Sequence, residues 1–366
     1  MSTDMKKYVD YINQMSGNIL LGCDGFVDET YEIVQERQNQ TEFSAIENLK
    51  DFGELIVERA GGGVGVEIVP KRRCEGGFGI NTGRIAACLG LKPVLPGLYG
   101  EATIDPAYEE FKDSCALTSL GDPALTLAFE FQNGKLLMSD LGRVSNLKWA
   151  DFEKHFSEEQ IKDMFTGVDI LGLGYWSLTS NFDDLFMGFM KQYETIENAP
   201  KRMFFDFADI QKKSSEAFLK SLEMIKQFNS KIPMTFSLNH HEIMELCSRI
   251  GVECAEATPE AIAAALPIAR DKIGFDELVV HTPDFAVASS VADGEAIAMQ
   301  ERQTNIVRLA GAGDSFNGGY ICASLGDLPI KQRLAMANAT TAFFVTQGTG
   351  PNKEQLIAQL EKTADK

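Results

Sequence analysis

Asp169-Ile-Leu-Gly-Leu-Gly174 is a short apolar run that ends at Tyr175-Trp176, and Lys201-Arg-Met-Phe-Phe-Asp206 is a second run that ends in an acidic turn. Runs of this length and composition are typical of buried strands. Three more follow the same pattern: Asn18-Ile-Leu-Leu-Gly22, Pro233-Met-Thr-Phe-Ser237 and Glu277-Leu-Val-Val-His281. Stretches with helical periodicity, such as residues 215–228 and 257–273, lie between them. This alternation predicts an α/β fold in which crossover helices cover a parallel sheet.

Two intervals interrupt the alternation. Residues 31–73 hold the segments Tyr31-Glu-Ile-Val-Gln35 and Gly65-Val-Glu-Ile-Val69, and residues 124–143 hold two alternating runs around Asn133-Gly134. Asn-Gly between alternating runs favours a hairpin. We therefore expect a small β element that projects from the main sheet. Without a repeat or a Pro-rich linker, residues 1–366 are predicted to form a single domain.

Composition excludes several classes of protein. The 366 residues include 34 Lys+Arg and 53 Asp+Glu, so the net charge of 34 − 53 = −19 argues against a nucleic-acid partner. A hydrophobic content of 44% is sufficient for a large core. No window approaches the roughly 18 consecutive apolar residues of a membrane span. The polar first 16 residues and seven scattered cysteines are expected of a cytoplasmic protein that has reduced thiols and lacks structural zinc.

The segment with the strongest chemical pattern is Arg308-Leu-Ala-Gly-Ala-Gly-Asp-Ser-Phe-Asn-Gly-Gly-Tyr320. Its small residues allow backbone N–H groups to converge at a helix N-terminus, where the helix dipole favours an anion. Asp314 is then placed to accept a proton from an attacking hydroxyl while the amides stabilise a transferring phosphoryl group. The alternative is structural, with Asp314 capping the helix and the glycines forming a tight loop.

Two further segments are candidates for substrate binding. Gly76-Gly77 precede a predicted helix that carries Asn81 in its first turn, where an amide offers a donor and an acceptor to a polyol; helix–sheet packing is the alternative role. Asp24 and Asp28 follow the first strand and are expected in the loop at its carboxyl end, where α/β proteins bind ligands.

A fourth segment, Asn239-His-His-Glu242, follows the strand that ends near Ser237. Asn239 and Glu242 are three residues apart and share one face of a starting helix, so the carboxylate is suited to hold magnesium through water. Zinc is not expected at the adjacent histidines because neighbouring side chains diverge on a helix. Gly61-Gly-Gly-Val-Gly65 lacks both nucleotide-loop patterns and is interpreted as a turn.

Taken in order, these segments resemble the ribokinase-like, or PfkB, family of carbohydrate kinases. Asp28 matches the early-strand aspartate of that family, residues 76–81 its GGxGxN segment, residues 239–242 its NxxE and residues 311–314 its GAGD. The resemblance extends over residues 18–350. It implies a three-layer fold with a mostly parallel central sheet flanked by helices, and a small β-sheet lid built from residues 31–73 and 124–143.

The resemblance also implies roles for individual residues. Asp314 is then the catalytic base, and Gly311, Ala312 and Gly313 form the anion hole. The substrate-binding residues are Asp24, Asp28, Gly76, Gly77 and Asn81. The nucleotide-binding residues are Asn239, Glu242, Thr282, Gly311, Gly313 and Asn338, with Glu242 also near magnesium. Family lids close over sugars and pair into dimers, so Phe129 or Phe131 is expected to contact substrate and the lid is a candidate homodimer surface.

The sequence departs from the family pattern at two places. Arg308-Leu309 replaces the Asp-Thr pair that usually precedes GAGD, so potassium activation is not expected; Arg308 is either a fixed positive charge near the site or a plain surface residue. Residues 281–285 replace the strand-end Thr-Leu-Gly pattern that lines the nucleotide pocket.

The predicted function is phosphorylation of a hydroxyl on a small sugar or related polyol, with ATP and Mg²⁺ as cofactors. Nucleosides and sugar acids are alternative acceptors in the same family. A catalytically inactive sugar-binding regulatory protein is an alternative from another class, favoured by the two departures and opposed by the intact Asp314. A nicotinamide oxidoreductase is disfavoured because no strand is followed by GxGxxG.

Overall fold

The computed structural model describes residues 3–326 and 328–364. Within them, fourteen strands form two sheets. The strands are β1 (Ile19–Gly22), β2 (Phe26–Arg37), β3 (Phe43–Ala45), β4 (Ile68–Gly76), β5 (Val94–Gly97), β6 (Ala116–Ser119), β7 (Ala124–Phe131), β8 (Gly134–Asp140), β9 (Ile170–Gly174), β10 (Arg202–Asp206), β11 (Met234–Asn239), β12 (Glu277–His281), β13 (Phe285–Ser290) and β14 (Gly294–Met299).

Thirteen α-helices are found in the same residues. They are α1 (Thr3–Gln14), α2 (Leu49–Glu58), α3 (Phe78–Cys88), α4 (Gly142–Asn146), α5 (Trp149–His155), α6 (Glu158–Phe165), α7 (Phe182–Tyr193), α8 (Ser215–Lys226), α9 (His240–Ile250), α10 (Pro259–Ile273), α11 (Ala312–Ala323), α12 (Ile330–Gln347) and α13 (Lys353–Ala364). None of the described helices is long and apolar enough to cross a bilayer.

The large sheet has the strand order β14-β13-β12-β11-β10-β9-β1-β5-β6. All neighbours from β12 to β6 are parallel, and β13 pairs antiparallel with both β12 and β14. Parallel strands need helical crossovers, which cover both faces of the sheet. Successive strand residues therefore enter opposite cores: Phe204 packs with Phe78 on one face, while Phe205 packs with Phe186 and Phe236 on the other. The predicted α/β class and mostly parallel sheet are confirmed.

The second sheet contains β2, β3, β4, β7 and β8. β2 is its central strand, antiparallel to β4 and parallel to β7. The predicted hairpin of β7 and β8 is present, but its turn is Gln132-Asn133, and Gly134 is already the first residue of β8. The loop position expected for Asp28 is wrong, because β2 already begins at Phe26 and places Asp28 opposite Cys74 of β4. The long β2 strand carries the chain directly from the large sheet into the small one.

The predicted contact residues of the small sheet have another neighbourhood. Phe129 is 7% exposed and packs with Ile33 and Phe52, and the ring of Phe131 stacks on Phe52. These aromatic side chains form the core of the small sheet against α2. Their expected contact with substrate therefore stays a prediction. The 61–65 glycine stretch is an exposed turn after α2, as interpreted.

Candidate active site

Asp314 lies in the first turn of α11, which packs between α3 and α12. The side chain is only 6% exposed. Its Oδ2 accepts hydrogen bonds from Asn81 Nδ2 at 3.0 Å and from the Tyr175 hydroxyl at 3.2 Å. Asn81 comes from α3 and Tyr175 from the end of β9, so three separate elements fix the orientation of this carboxylate. Asn81, which the sequence analysis assigned to the substrate, is therefore also a direct partner of Asp314.

The surroundings of Asp314 favour its protonated form. Its pKa is raised to about 8, mainly by burial and in addition by the charges of the nearby carboxylates Asp206 and Asp24. The hydrogen bonds from Asn81 and Tyr175 act in the opposite direction and lower the pKa. A carboxylate with a pKa in this range binds a proton far more readily than an exposed aspartate. This is the property required of a general base at neutral pH.

The N-terminus of α11 supplies free backbone donors beside Asp314. Gly311 precedes the helix with φ of 85°, a left-handed conformation that a Cβ disfavours. The Ala312 amide donates to the Leu309 carbonyl at 3.0 Å, so it is occupied in this structure. Within the described part of the chain, the Gly313 and Asp314 amides have no hydrogen-bond partner. Among the predicted anion-hole residues, the Ala312 amide is engaged and the Gly311 and Gly313 amides have no partner in the described residues, so anion binding at this helix start stays a prediction.

Asp24 and the paired glycines form the N-terminus of α3. The Asp24 carboxylate accepts hydrogen bonds from the amides of Phe78 at 2.6 Å and Gly79 at 3.0 Å. A Cβ on Gly77, whose φ is 110°, would lie 2.8 Å from Asp24 Oδ2. Asp24 is thus a buried helix cap whose oxygens are already engaged, and Gly77 allows the close approach. The sequence-based assignment of these two residues to substrate is not tested by this geometry.

Asp28 lies nearer to the open part of the site. A Cβ on Gly76 would come within 3.0 Å of Asp28 Oδ2, so glycine at that position lets the carboxylate approach the chain. Partial burial raises the Asp28 pKa, whereas a hydrogen bond with Thr126 and the charges of Lys135, Arg308 and Arg72 lower it. Asp28 therefore faces a basic region, in contrast to the carboxylates around Asp314.

Asn81 has an unused polar atom in the same region. Its Nδ2 is committed to Asp314, but its Oδ1 is buried and has no hydrogen-bond partner in the described residues. A Cβ added at Gly311 would be 3.5 Å from the Asn81 amide, which shows that the two segments are in contact. An unpaired acceptor is costly to bury, so a donor such as a substrate hydroxyl is expected there.

The predicted Asn239–Glu242 pair forms a capping box at the start of α9. Asn239 Oδ1 accepts from the amides of His241 and Glu242, and the Asn239 amide donates to Glu242 Oε2 at 2.8 Å. Burial and the neighbouring charge of Asp206 raise the pKa of Glu242 to about 9. Both side chains therefore point to one face as predicted, and Glu242 lies against another carboxylate.

Asp206 is the main site residue that the sequence analysis did not identify. It ends β10, is 9% exposed, and accepts hydrogen bonds from the Ala208 amide at 2.8 Å and Asn317 Nδ2 at 2.6 Å. Ser237 holds Asn317 through a 2.6 Å hydrogen bond. An acidic residue at a strand end was visible in the sequence, but its approach to Glu242 and Asp314 depends on the order of the strands in the sheet.

The residues present fit magnesium held mainly by phosphate and water. In the described residues, no group of three His, Cys, Asp or Glu side chains is placed to enclose a metal. Mg²⁺ is commonly bound by only one or two carboxylates together with substrate phosphates and several waters. The charges of Asp206 and Glu242 lie close enough to raise the Glu242 pKa, and a divalent cation between such carboxylates relieves their repulsion.

Two predicted nucleotide residues are engaged elsewhere. The Thr282 hydroxyl donates to the Phe285 carbonyl and accepts two amides in the β12–β13 turn. Asn338 is buried on α12, where its Nδ2 donates to the Ala298 carbonyl. Their role in nucleotide binding stays a prediction. His281 at the end of β12 packs on Phe316, and burial lowers its pKa to about 4, so this ring is neutral beside α11.

Comparisons with known proteins bear on this site. The family model described as prokaryotic ketohexokinase matches residues 11–363. A curated ketohexokinase from Haloferax volcanii is 27% identical over 345 residues, which is 93% of this chain and 90% of the relative.

Solved structures show the same fold at lower identity. Ribokinase from Arabidopsis thaliana, complexed with ribose and ATP, has a TM-score of 0.66 at 15% identity and covers 95% of this chain and 99% of its own. Phosphofructokinase-2 from Escherichia coli in complex with fructose-6-phosphate has a TM-score of 0.62 at 15% identity. The match covers 96% of this chain and 100% of the phosphofructokinase chain. A nucleoside kinase from Methanocaldococcus jannaschii, described as an archaeal member of the ribokinase family, has a TM-score of 0.63 at 15% identity. The match covers 95% of this chain and 99% of the nucleoside kinase chain.

Proposed function

Since the chain belongs to the prokaryotic ketohexokinase family, we propose that it transfers the γ-phosphoryl group of ATP to a hydroxyl of a ketohexose. Membership confirms the predicted ribokinase-like carbohydrate kinase, a phosphotransferase that acts on a sugar hydroxyl. Nucleoside kinases, sugar-acid kinases and an inactive regulatory protein are not favoured by it. The observation that supports turnover is the placement of buried Asp314 beside the free Gly313 amide.

The proposed reaction assigns each atom a destination. The acceptor hydroxyl gives its proton to the Asp314 carboxylate as its oxygen forms a bond to the γ-phosphorus. The bond from that phosphorus to the bridging oxygen of ADP breaks, and ADP leaves with the electron pair. The Gly313 and Asp314 amides and the positive end of α11 stabilise the charge on the transferring group. Asn81 and Tyr175 hold the carboxylate in line.

Asp206 and Glu242 are the residues that would hold Mg²⁺. When bound, the metal supplies charge neutralisation to the nucleotide phosphates. The protein supplies a fixed carboxylate pair for this purpose, since Asn317 and the Ala208 amide orient Asp206 and the capping box orients Glu242. Asp28 and the unpaired Asn81 oxygen are the proposed partners of the acceptor hydroxyls.

We place the small sheet over the acceptor as a lid, which excludes water when it closes. Exposed apolar side chains lie on the face of the small sheet that also holds Leu127, including Leu125 at 38% and Met138 at 55% exposed. We propose that this surface pairs two copies of the chain. Light scattering on the double variant L125E/M138E, which changes two side chains of one face, is expected to show a monomer where the unsubstituted protein shows a dimer. A monomeric original chain contradicts the pairing and leaves the kinase reaction unaffected.

The acceptor is tested by incubating the protein with Mg²⁺–ATP and a panel of sugars, sugar acids, sugar phosphates and nucleosides while ADP release is followed. ADP release that depends on a ketohexose, and that Asp314→Asn abolishes, is the expected result. ADP release with another acceptor class alone contradicts the ketohexose assignment. Tight binding of a sugar with no ADP release under any condition contradicts the reaction itself.

A further inference from the structure

A cavity of about 540 Å³ opens beside the acceptor region and takes no part in the proposed reaction. This volume is in the range of small-molecule sites, roughly 300–1,000 Å³. The end of β4, the middle of α3, the segment before α11 and the loop after α12 form its walls. Its charged lining residues are Arg72, Arg73, Glu75, Arg84, Glu110 and Arg308.

Arg84 is the deepest positive charge of the cavity. It is 7% exposed, forms an ion pair with the buried Glu75, and lies with its guanidinium carbon 5.0 Å from the centre of the Phe111 ring. Its Nε is buried without a hydrogen-bond partner among the described residues. An unused guanidinium donor in a cavity wall indicates a missing acceptor, because guanidinium cannot avoid the cost by deprotonation.

The other arginines add charge that the cavity does not neutralise. Arg308 shares the same Glu75 carboxylate at 3.3 Å and lies over the Phe344 ring, and Arg72 forms no ion pair with a described residue. Arg73 is different, since it is bound to Asp105 and Glu29. Three arginines therefore face one paired carboxylate, with Glu110 exposed at the rim.

The positive charges of Arg72, Arg84 and Arg308 repel one another, and the direction of their pKa shifts agrees with this. Burial, followed by the charge of Arg308, lowers the pKa of Arg84 to about 10. Burial likewise lowers the pKa of Arg308, with the charge of Arg72 as the next cause. An anion placed among the three reverses this unfavourable interaction.

The cavity adjoins the reaction centre through α3. Arg84 lies one turn after Asn81 on that helix, so the residue that holds Asp314 and the residue that lines the cavity share one rigid element. The charges of Arg72 and Arg308 also reach Asp28.

We propose that this cavity is a binding site for a phosphate group, either free or carried by a small phosphate ester. Arginine matches the geometry of phosphate oxygens with paired N–H donors, and the flanking aromatic rings hold two of the guanidinium groups in fixed orientations. The site does not depend on the kinase reaction, since its ligand binds without ATP or turnover.

The test measures binding of inorganic phosphate, fructose 1-phosphate and fructose by calorimetry, without nucleotide and at constant ionic strength. Saturable binding of phosphate or of the phosphate ester, competing with each other, is expected, with fructose unable to compete in the cavity. When fructose saturates the acceptor region, tighter binding of the ester identifies a phosphorylated small molecule as the ligand of the cavity, and equal or weaker binding identifies the free anion. Failure of both to bind overturns the proposal.

The variants locate the bound anion. Arg72→Gln is exposed enough to preserve folding and is expected to weaken binding about tenfold. Lys71→Gln is the matched control, because it removes the same charge from the same strand outside the cavity and leaves affinity unchanged. The paired variant R84M/E75Q removes the deepest donor together with its carboxylate and is expected to abolish binding. Binding that is equal in all these variants places the anion elsewhere, for example at α11, and overturns the cavity assignment.

Discussion

The two ends of α3 border regions of opposite charge. Its N-terminal half lies among carboxylates, with Asp24 as its cap and Asp206 and Asp314 close by. Its next turn carries Arg84 into a cavity shared with two other arginines. Each region concentrates one sign of charge where burial makes repulsion expensive.

A third buried cluster shows how the fold treats charges that only stabilise it. Glu277 is 1% exposed and is paired with Arg333 at 2.8 Å, while the Tyr320 hydroxyl donates to the same carboxylate at 2.9 Å. The opposite charges match there, since Arg333 is paired with both Glu277 and Asp293, although Arg333 Nε is buried without a hydrogen-bond partner in the described residues. The contrast supports the two proposals that the unmatched charges on the two sides of α3 serve ligands, namely a transferring phosphoryl group at Asp314 and an anion at Arg84.

The largest effect is expected where the carboxylate region loses its base. Asp314→Asn is expected to lower kcat by about 10²–10⁴-fold, because general-base catalysis has that range. Folding is expected to persist, since the amide keeps an acceptor for Asn81 and removes a buried charge. Steady-state kinetics and thermal melting measure both, with Asp271→Asn on α10, where the side chain is 68% exposed, as the control. Loss of less than tenfold would remove Asp314 from the base role.

The second largest effect is expected on stability, when Glu75, the buried carboxylate of the arginine-lined cavity, loses its charge. Glu75→Gln leaves Arg84 and Arg308 without a counter-charge, which is expected to cost about 3–5 kcal/mol of unfolding free energy. Urea titration measures this loss. Phosphate is expected to restore stability to this variant more than to the original chain, because it replaces the missing charge. Equal stabilisation of both proteins by phosphate contradicts that contrast.

The protein is expected to become more stable when the charge of Glu242 is removed from the group of carboxylates near Asp314. The Glu242 pKa is raised to about 9 in the folded protein. The free energy of unfolding is therefore expected to decrease as pH rises from about 4.5 towards 9. Glu242→Gln keeps the capping box and removes this penalty, with an expected gain of about 1 kcal/mol at pH 8, since the side chain is partly exposed. Melting curves at pH 5 and pH 8 test the sign. A variant less stable than the original at pH 8 contradicts it.

The smallest effect concerns one hydrogen bond. Tyr175→Phe removes a hydrogen-bond donor to Asp314 and is expected to raise the Asp314 pKa. The acidic limb of the kcat/KM profile is then expected to shift to higher pH by less than about one pH unit. The profile of Tyr193→Phe, which changes a tyrosine bonded to a distant carbonyl, serves as the control. A downward shift contradicts the proposed effect of this hydrogen bond.

Most of the fold and part of the candidate site could be predicted from the sequence. Short apolar runs predicted β9, β10 and β12, and Asn133-Gly134 predicted the β7–β8 hairpin, because these signals are local. The motifs likewise placed Asp314 and Asn81 at helix starts.

Long-range placement explains what was missed. Asp206 reaches Asp314 only through strand order, and Arg72, Arg84 and Arg308 meet only after β4, α3 and the segment before α11 have packed together. The Ala312 amide was assigned to the anion hole because a motif does not reveal which carbonyl, here Leu309, accepts its hydrogen. The loop position of Asp28 failed because the length of β2 is set by pairing with β4 and β7.

We propose that burial among carboxylates makes Asp314 the base of phosphoryl transfer. The most direct test is the pH dependence of kcat/KM for the original chain and for Asp206→Asn with a saturating nucleotide. The base must be ionised, so kcat/KM is expected to fall as pH drops below about 8 and to reach its plateau above that value. In Asp206→Asn the limb is expected at lower pH, because a charge that raises the Asp314 pKa is gone. A profile that is flat from about pH 6 to 9, or a limb that does not move in Asp206→Asn, would contradict the claim.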